Sequence, residues 1–435
     1  MTQKNNQQTS MEDIVALCKR RGIVYPGSDI YGGLANSWDF GPLGVELKRN
    51  IKQSWWNTFV HQREDMYGLD AAIIMNRKVW QASGHEKGFN DPLVECKECH
   101  QRFRADQLEK EKCPDCGGVL ADAKQFNMMF KTHAGVVEDD DNLVYLRPET
   151  AQGIFVNFKN IVDSMSPKLP FGIAQIGKAF RNEITPRNFI FRTREFEQME
   201  IEYFVREKDW QEQFDKWNQA LRVWITSIGV ADDLVHELDV PQDELAHYSK
   251  RTIDVEFTFP FGKDELYGLA YRTDFDLSAH KEASGARLEY TDSATGEKFI
   301  PHVIEPSMGV ERMLLAVLVS AYRKDEDRVW LDLPFAIAPY KAAVFPLVKN
   351  KPDIVAKARE VYDLLKEAGL GNIAWDERGN VGKRYYAQDE IGTPYGITID
   401  YDSLEDGTVT VRDRNTTTQE RVNIDELVVY IRSHS

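Results

Sequence analysis

A basic segment between Gly177 and Val205 carries the residue types that bind polyphosphates. It reads GKAFRNEITPRNFIFRTREFEQMEIEYFV, and five cations stand against two acids between positions 178 and 195: Lys178, Arg181, Arg187, Arg192 and Arg194 against Glu183 and Glu195. Arginine binds phosphate oxygens through two parallel hydrogen bonds. The segment therefore predicts a phosphate-binding loop.

Two cysteine pairs have the spacing of a metal site. Cys96-x2-Cys99 and Cys113-x2-Cys116 are separated by residues 100–112, and prolines or glycines flank them. Four thiolates at this spacing predict a tetrahedral zinc site, although the interval is slightly shorter than usual. Disulfides are the alternative, but the additional Cys18 and an expected cytosolic location argue against them. Because four thiolates leave no open position, we expect a structural ion.

Glycine-rich phosphate loops are not found in the sequence. It contains neither GxxxxGK[ST] nor GxGxxG after a strand. The metalloprotease pattern HExxH is also absent, and we find no Ser-His-Asp arrangement. Phosphate binding would therefore rest on arginines presented by an antiparallel sheet.

The basic segment predicts two strands joined by a long loop, because Pro186 and Asn188 interrupt its β-forming ends. Alternation points one set of the second strand toward a core: Met199, Ile201, Tyr203 and Val205. The opposite set is Phe196, Gln198, Glu200 and Glu202, and in the first strand Arg181 and Glu183 share a face with Gly177 and Ala179. This face is either the solvated side of a sheet or a binding surface, and the basic loop favours the second.

Apolar spacing predicts the flanking helices. Residues 11–22 form one, and another begins near Pro42 with an apolar stripe at Leu43, Leu47, Ile51, Trp55 and Phe59. Residues 208–250 look helical, and a strand ending at residues 305–307 leads into a helix opened by Gly309. That helix is apolar on nearly all sides, so Arg312 in its first turn should be costly to bury without an anion or an acid partner.

Length and composition indicate a soluble chain of two or three domains, with 435 residues, 42% hydrophobic and 29% charged. The apolar run Met313–Tyr322 is too short to cross a bilayer, and residues 1–10 lack a signal core. We expect a cytoplasmic protein with no membrane partner. The net charge of −16 argues mildly against nucleic acid, although a local basic loop can overcome it.

The motifs resemble a known family when taken together. Phe180-Arg181-Asn182-Glu183, the basic loop and Arg194-Glu195-Phe196 resemble the second signature motif of class II aminoacyl-tRNA synthetases. The continuation FEQMEIEYF is similar to glycyl-tRNA synthetases. The region around Pro42 resembles the first motif, and residues 309–312 resemble the third. The resemblance extends from Tyr25 to Ile431.

The resemblance implies an α/β fold with an α+β catalytic domain over residues 1–332, built on an antiparallel sheet flanked by helices. It further implies a zinc-ribbon insertion near 93–120, a helical insertion near 208–250 and a mixed-sheet anticodon-binding domain over 333–435. The expected activity is ATP-dependent activation of glycine and its transfer to tRNA(Gly), by a homodimer whose first-motif helix lies at the interface. Two alternatives are an inactive synthetase-like accessory protein and a zinc-ribbon protein that binds nucleic acid without catalysis.

The resemblance also assigns residues. Arg181 and Arg312 would be catalytic, and the ATP site would comprise Arg181, Asn182, Glu183, Phe191, Arg192, Phe196, Glu265, Leu266, Gly309 and Arg312, with Glu265 near Mg2+. The glycine site would comprise Arg104, Glu149, Glu200, Arg272, Glu305 and Ser307, and Zn2+ would bind Cys96, Cys99, Cys113 and Cys116. The residues alone leave other interpretations: a helix-dipole partner for Glu149, exposed loop positions for Glu265 and Arg272, and either RNA contacts or surface charges for Arg412 and Arg414.

Overall fold

The computed structural model describes residues 9–108, 112–184 and 187–434. Pro186, predicted to interrupt the basic segment, lies outside these ranges, as do residues 1–8. The α-helices are Met11–Arg21, Pro42–Trp56, Arg77–Ala82, His85–Gly88, Ala151–Met165, Trp210–Ser227, Phe275–Ser284, Val310–Ala321, Pro352–Glu367, Val381–Ile391, Asp402–Asp406 and Leu427–Ser433.

A long sheet of seven strands organises the first three quarters of the described chain. In spatial order its strands are Val235–Asp239, Arg251–Phe259, Gly262–Thr273, His302–Gly309, Glu195–Val205, Phe171–Phe180 and Met66–Gly68. All neighbours are antiparallel except Met66–Gly68, which is parallel to Phe171–Phe180. The predicted antiparallel sheet is confirmed.

The central hairpin, formed by strands Phe171–Phe180 and Glu195–Val205, is covered on both faces. Met199 and Ile201 pack with the apolar helix Val310–Ala321 in one core, as alternation predicts. On the other face, Phe204 packs with Phe155 of helix Ala151–Met165 in a second core. The second face is therefore not a solvated sheet surface, and that alternative is wrong.

Two predicted strand boundaries differ from the structure. The first hairpin strand ends at Phe180, so Arg181 and Glu183 lie in the loop and do not share the strand face with Gly177 and Ala179. The strand leading to the apolar helix continues from His302 through Gly309. It continues because it pairs with strands on both sides as far as Met308.

The predicted helical segment 208–250 is only partly helical. Helix Trp210–Ser227 buries Phe214, Trp217 and Trp224. Beyond it, strand Val235–Asp239 pairs antiparallel with Arg251–Phe259 at the sheet edge. The chain therefore returns to the long sheet, and residues 240–250 form the loop between these two strands.

The apolar stripe predicted from Leu43 to Phe59 is buried in the protein core. Leu43, Leu47, Ile51 and Trp55 are buried along Pro42–Trp56, and a π-helical turn, Asn57–His61, adds Phe59. The stripe packs in the main core. A contact with a second chain would have to use other faces of this helix.

Smaller sheets complete the N-terminal part. A three-stranded sheet carries the cysteine pairs and contains Arg102–Arg104, Asn90–Glu95 and Lys124–Asn127 in that order. Two-stranded sheets are Val24–Pro26 with Trp38–Phe40, Lys131–His133 with Leu143–Tyr145, Tyr290–Thr291 with Lys298–Phe299, and Tyr322–Lys324 with Val329–Leu331.

The C-terminal sheet has its own core. Its spatial order is Ile373–Trp375, Ala342–Pro346, Tyr395–Ile399, Thr408–Asp413 and Gln419–Asn423. The first three strands are parallel and the remaining pairs antiparallel, which confirms the predicted mixed sheet. Its first strand in the chain begins at Ala342, because residues 334–338 form a turn in which the backbone N–H groups of Ile337 and Ala338 donate to the Pro334 carbonyl.

Buried ion pairs connect the C-terminal sheet to the rest of the chain. Asp389 accepts two hydrogen bonds from Arg412, at 2.8 and 2.9 Å, and one from Arg328 at 3.1 Å. Arg414 donates to the carbonyls of Gly392 and Leu333 at 2.6 and 2.9 Å. Both arginines are buried, so the interpretation as surface charges is wrong, and an RNA contact would have to compete with these protein partners. Among the described residues, no helix is long and apolar enough to cross a membrane.

Candidate active site

A cavity of about 360 Å³ lies over the centre of the long sheet. The central hairpin supplies Phe196, Gln198 and Glu200, and the neighbouring strands supply Glu265, Leu266, Glu305, Ser307 and Gly309. Glu149 and the hairpin loop close the sides, the latter through Arg181, Glu183, Phe191 and Arg192. Arg312 from the apolar helix completes the cationic wall.

Glu200 occupies the acidic end of the cavity and is 2% exposed. Its two carboxylate oxygens accept separate hydroxyl donors, Ser307 Oγ at 2.6 Å and Thr150 Oγ1. Thr150 is the residue before helix Ala151–Met165, so the carboxylate lies at the positive end of that helix. The side chain is thereby held in one orientation facing the cavity.

Arg272 lies behind the acidic end and fixes Glu305. Its guanidinium donates to Glu305 Oε1 at 2.9 Å and to both oxygens of Asp276 at 2.8 Å. Glu305 lines the cavity, whereas Arg272 is buried beneath it. Arg272 therefore does not line the cavity, because two acids occupy its donors, and its predicted contact with glycine stays a prediction.

Glu149 is held by a second set of partners. His85 Nε2 lies 3.2 Å from Glu149 Oε2, and Gln152 Nε2 donates to Oε1 at 3.0 Å. Ser83 Oγ lies 2.8 Å from His85 Nδ1 and orients the ring. The helix-dipole interpretation alone is therefore incomplete. The Glu149 carboxylate precedes helix Ala151–Met165, but it also lines the cavity.

Four carboxylates share this small volume and shift one another's protonation: Glu149, Glu200, Glu202 and Glu305. Burial, together with the charges of Glu200 and Glu149, raises the pKa of Glu305 to about 8, although Arg272 acts in the opposite direction. Burial and the Glu149 charge likewise raise the pKa of Glu200. For Glu149, burial acts upward, but His85, Arg272 and Gln152 hold its pKa well below the ordinary range.

The acidic end therefore has more carboxylates than cations to pair with them, since Arg272 is already bound to Glu305 and Asp276. Among the described residues, neither oxygen of Glu202 meets a hydrogen-bond donor. Burial raises its pKa well above the ordinary value, and the neighbouring Glu305 adds to the effect. A small cation entering the cavity would relieve this repulsion.

The opposite end of the cavity is cationic. Arg181 donates to the Pro148 carbonyl at 3.0 Å, and its guanidinium lies 5.3 Å from the Phe196 ring centroid. Arg192 Nη1 is buried without a hydrogen-bond partner among the described residues, and burial lowers the pKa of this guanidinium. A buried, unpaired guanidinium nitrogen is costly unless an anion meets it.

Arg312 lies on the same wall but is only half-buried. Its Nη1 donates to both the carbonyl and the carboxylate of Glu265, each at 3.1 Å. The guanidinium lies 4.5 Å from the Phe191 ring centroid. The expected high cost of burying this arginine is not incurred, since Glu265 is its acid partner and solvent reaches it.

Asn182 and Arg104 do not line this cavity. The Asn182 backbone N–H donates to the Met128 carbonyl at 2.7 Å, and the residue lines a second cavity of about 660 Å³. Arg104 pairs with Asp91 at 2.9 Å and Asp106 at 2.7 Å. Their predicted contacts with the main cavity are not found. The other predicted ATP- and glycine-site residues, except Arg272, all line it.

Several cavity residues were not predicted. Asp254 lies near Glu265, and burial with the charges of Glu265 and Glu256 raises its pKa to about 6. Tyr248, which lines the cavity, was not predicted either, nor was His85, which holds Glu149 from outside the lining. The two polar side chains of the segment Ser83-Gly84-His85 were a sequence signal for a functional site. Only the tertiary structure shows that His85 contacts the Glu149 carboxylate.

The four predicted cysteines form one cluster. Their sulfurs all lie within 4.8 Å of one another, with Cys96 to Cys116 at 3.5 Å and Cys99 to Cys113 at 3.6 Å. Four sulfurs placed tetrahedrally at zinc–thiolate distance would be separated by roughly 3.8 Å. The cluster therefore fits a tetrahedral ion and contains no disulfide.

Two family models match the chain. "tRNA synthetase class II core domain (G, H, P, S and T)" matches residues 130–321, and "Anticodon binding domain" matches residues 341–434. The first span contains the central hairpin and the apolar helix, and the second contains the C-terminal sheet. The two models thus correspond to the central strands of the long sheet and to the C-terminal sheet.

Similar curated proteins cover almost the whole chain. A "Glycine--tRNA ligase" of Alkaliphilus oremlandii is 50% identical, with 98% of each chain covered. Those of Clostridium tetani and Geobacillus thermodenitrificans are 51% and 49% identical, with 98% and 99% of each chain covered, respectively. Identity of this extent, together with the matched core and the cavity, shows that the chain belongs to the glycine--tRNA ligase family of class II aminoacyl-tRNA synthetases.

Proposed function

We propose that the chain is an active glycine--tRNA ligase. In the first step a glycine carboxylate oxygen attacks the α-phosphorus of ATP, forming glycyl-adenylate and releasing pyrophosphate. In the second step a ribose hydroxyl at the tRNA 3′ end attacks the glycyl carbonyl, and AMP leaves. The observation that carries the proposal is one cavity with three carboxylates at one end and three arginines at the other.

Glycine would bind at the acidic end. Glu149, Glu200 and Glu305 line a pocket suited to an ammonium group, and Ser307 and Thr150 hold Glu200 in position. Selection must depend on excluding bulk, because glycine has no side chain to recognise and no smaller amino acid competes. Arg272 would act as a positioning residue that holds Glu305.

ATP would occupy the cationic end. Arg181 would bind the α-phosphate, Arg192 and Arg312 the outer phosphates, and Phe196 would stack on adenine while Glu183 accepts from its amino group. The unpaired Arg192 Nη1 and the unpaired Glu183 Oε2 support these assignments. Phe191, Leu266 and Gly309 would line the nucleotide. Catalysis would then rest on in-line positioning and on neutralising charge that develops at phosphorus.

Mg2+ fits the carboxylates beside the phosphate end. Glu265 and Asp254 both line the cavity and offer the oxygen ligands this ion prefers. When bound, the ion would neutralise phosphate charge. Of the protein groups, Glu265 also orients Arg312 through its 3.1 Å hydrogen bond. A structural Zn2+ on Cys96, Cys99, Cys113 and Cys116 is proposed from the sulfur distances.

The molecule's larger organisation also remains a proposal. The residues matched by the family models support a catalytic domain over 1–332 and an anticodon-binding domain over 333–435 that contacts tRNA(Gly). Reduced thiols support a cytoplasmic location. Ile30, Tyr31 and Leu34 are 89%, 87% and 64% exposed near the first-motif helix, which supports a homodimer. Light scattering on the whole chain tests the dimer.

Pyrophosphate exchange with each amino acid separately tests the activity. Exchange only with glycine is expected, followed by charging of tRNA(Gly). An inactive accessory protein would bind nucleotide without exchange, and a zinc-ribbon nucleic-acid-binding protein would show neither. The presence of both ends of the cavity argues against these alternatives. Absence of glycine-dependent exchange from folded, zinc-loaded protein would reject the proposal.

A further inference from the structure

The loop of residues 240–250, named here the roof loop, lies over the cavity. It joins strands Val235–Asp239 and Arg251–Phe259 and contributes Val240, Glu244, Leu245, Ala246 and Tyr248 to the cavity lining. These side chains come from no signature motif. They nevertheless provide five of the residues that line the cavity.

The roof loop is anchored next to Tyr248. Ser249 Oγ lies 2.9 Å from Thr252 Oγ1 and donates to the Tyr271 carbonyl at 3.2 Å. The Lys250 backbone N–H donates to the same carbonyl at 2.9 Å. Tyr248 is therefore held against the sheet, while the rest of the loop, from Pro241 to His247, is mostly exposed.

The Tyr248 ring packs directly on the group that fixes the acidic end. The Arg272 guanidinium carbon lies 3.9 Å from the Tyr248 ring centroid and 5.4 Å from that of Phe155. Arg272 in turn binds Glu305 at 2.9 Å. Burial raises the pKa of Tyr248, and the carboxylates of Glu305 and Glu149 contribute in the same direction. The ring is thus close to two of the acids that line the pocket.

We propose that Tyr248 is a specificity-determining residue whose ring closes the amino-acid pocket above Glu305 and excludes substituents on the substrate α-carbon. The inference rests on the proposed glycine activation. Glu200 and Glu305 are fixed by hydrogen bonds, so a methyl group on the α-carbon would have to be accommodated on the side of the pocket that Tyr248 lines. A rigid aromatic ring there would clash with it, whereas glycine would fit.

The test compares Tyr248→Ala with Tyr248→Phe in the whole chain. Pyrophosphate exchange is measured with glycine, alanine and serine, and kcat/KM is obtained for each. A methyl group in a pocket is typically worth about 10- to 200-fold in discrimination. The Tyr248→Ala chain should therefore lose at least about tenfold of its preference for glycine over alanine. Tyr248→Phe should keep the preference, because the ring remains.

Controls separate the possible outcomes. Tyr401→Ala, at a half-exposed tyrosine in the C-terminal part, should match the unmodified chain in both activity and preference. If Tyr248→Ala does not fold, Tyr248→Leu provides a smaller but apolar replacement. An equal loss of kcat/KM for glycine and alanine would assign Tyr248 to positioning Arg272 alone and overturn the inference. Lack of glycine exchange in the unmodified chain would instead reject the proposed function.

Discussion

Glu200 is the acid most firmly held at the cavity, and replacing it by glutamine keeps its size while removing its charge. A charge-assisted hydrogen bond is worth about 1.5–3 kcal/mol. We therefore expect Glu200→Gln to lower kcat/KM for glycine about ten- to hundredfold in pyrophosphate exchange. The KM for ATP should change little, because other residues line the cationic end.

Stability distinguishes a substrate contact from a structural one. Burial and Glu149 raise the pKa of Glu200 in the folded chain, so its ionised form destabilises the fold at neutral pH. The melting temperature of Glu200→Gln should therefore be unchanged or higher. A large drop in melting temperature with unaltered glycine kinetics would make Glu200 a structural residue.

Glu305 should make both stability and substrate binding depend on pH. Its pKa rises from 4.5 to about 8 on folding, mainly through burial. A raised pKa means that this contribution to stability is complete below the unfolded value and is lost as pH rises through the folded value. The melting temperature of the free chain should accordingly fall between about pH 5 and pH 8, and Glu305→Gln should reduce this slope.

Glycine kinetics should change in the opposite direction with pH. Binding an ammonium group favours the ionised carboxylate, so kcat/KM for glycine should rise with pH up to about 8. The profile is measured by pyrophosphate exchange at saturating ATP. A flat profile over this range, with an unchanged melting temperature, would show that Glu305 does not titrate there.

At the scale of elements, the hairpin loop presents its arginines in two directions. Arg192 points an unpaired nitrogen toward the main cavity, whereas Arg194 donates to the carbonyls of Ala35 and Glu183 and lines the second cavity. Arg192→Lys should lower kcat/KM for ATP about tenfold or more, since a bidentate anion contact is lost. Arg194→Lys is the matched control and should have a much smaller effect. Equal effects would mean that the loop rearranges around the nucleotide.

The cysteine module provides a second test at this scale. Native mass spectrometry of the purified chain should show one zinc ion, because the four sulfurs match a tetrahedral site. Cys113→Ser should lose the ion, and the three-stranded sheet that carries the cysteines should become sensitive to protease. Cys18→Ala, at a buried cysteine outside the cluster, should retain it. A metal-free chain containing two disulfides would contradict the assignment.

At the scale of the whole molecule, Arg412 and Asp389 form a buried pair within the C-terminal part, and Arg328 from the preceding part of the chain also binds Asp389. Removing one partner of a buried ion pair leaves the other charge uncompensated, so Arg412→Met should cost about 3 kcal/mol of unfolding free energy. Arg421→Met removes a more exposed arginine from its pairs with Asp400 and Asp406 and should cost less than about 1 kcal/mol. Denaturant titration measures both. Weakened tRNA binding with unchanged stability would restore Arg412 as an RNA contact.

Removal of the residues after Leu333 would also break contacts between the two parts of the chain. Because the expected ATP and glycine contacts all precede Leu333, such a fragment is expected to activate glycine but to charge tRNA poorly. The structure adds that Arg414 donates to the Leu333 carbonyl and that Arg328 binds Asp389. A fragment lacking the C-terminal part would lose these partners, so reduced stability has to be measured together with exchange before the domains are called separable.

Several features of this protein were determined by the sequence alone. Alternation in the second hairpin strand identified its core side, and the cysteine spacing identified the cluster. The resemblance also indicated a separate C-terminal part built on a mixed sheet. These features depend on neighbours close in the chain, where periodicity and spacing act directly. The motifs of the hairpin and apolar helix also identified the family, which the curated relatives confirm.

The tertiary structure decided which polar side chains meet one another. Alternation placed Glu200 and Glu202 on one face, but only the packing of helix Ala151–Met165 showed that this face is buried. The sequence predicts ligand contacts for Arg272 and Arg104 and leaves an RNA contact open for Arg412. In the structure, each of these arginines pairs with an acidic residue. An arginine can donate to ligand or to protein, and the choice depends on residues distant in the chain. Pairing and burial of charge therefore followed from three-dimensional packing, which local spacing does not encode.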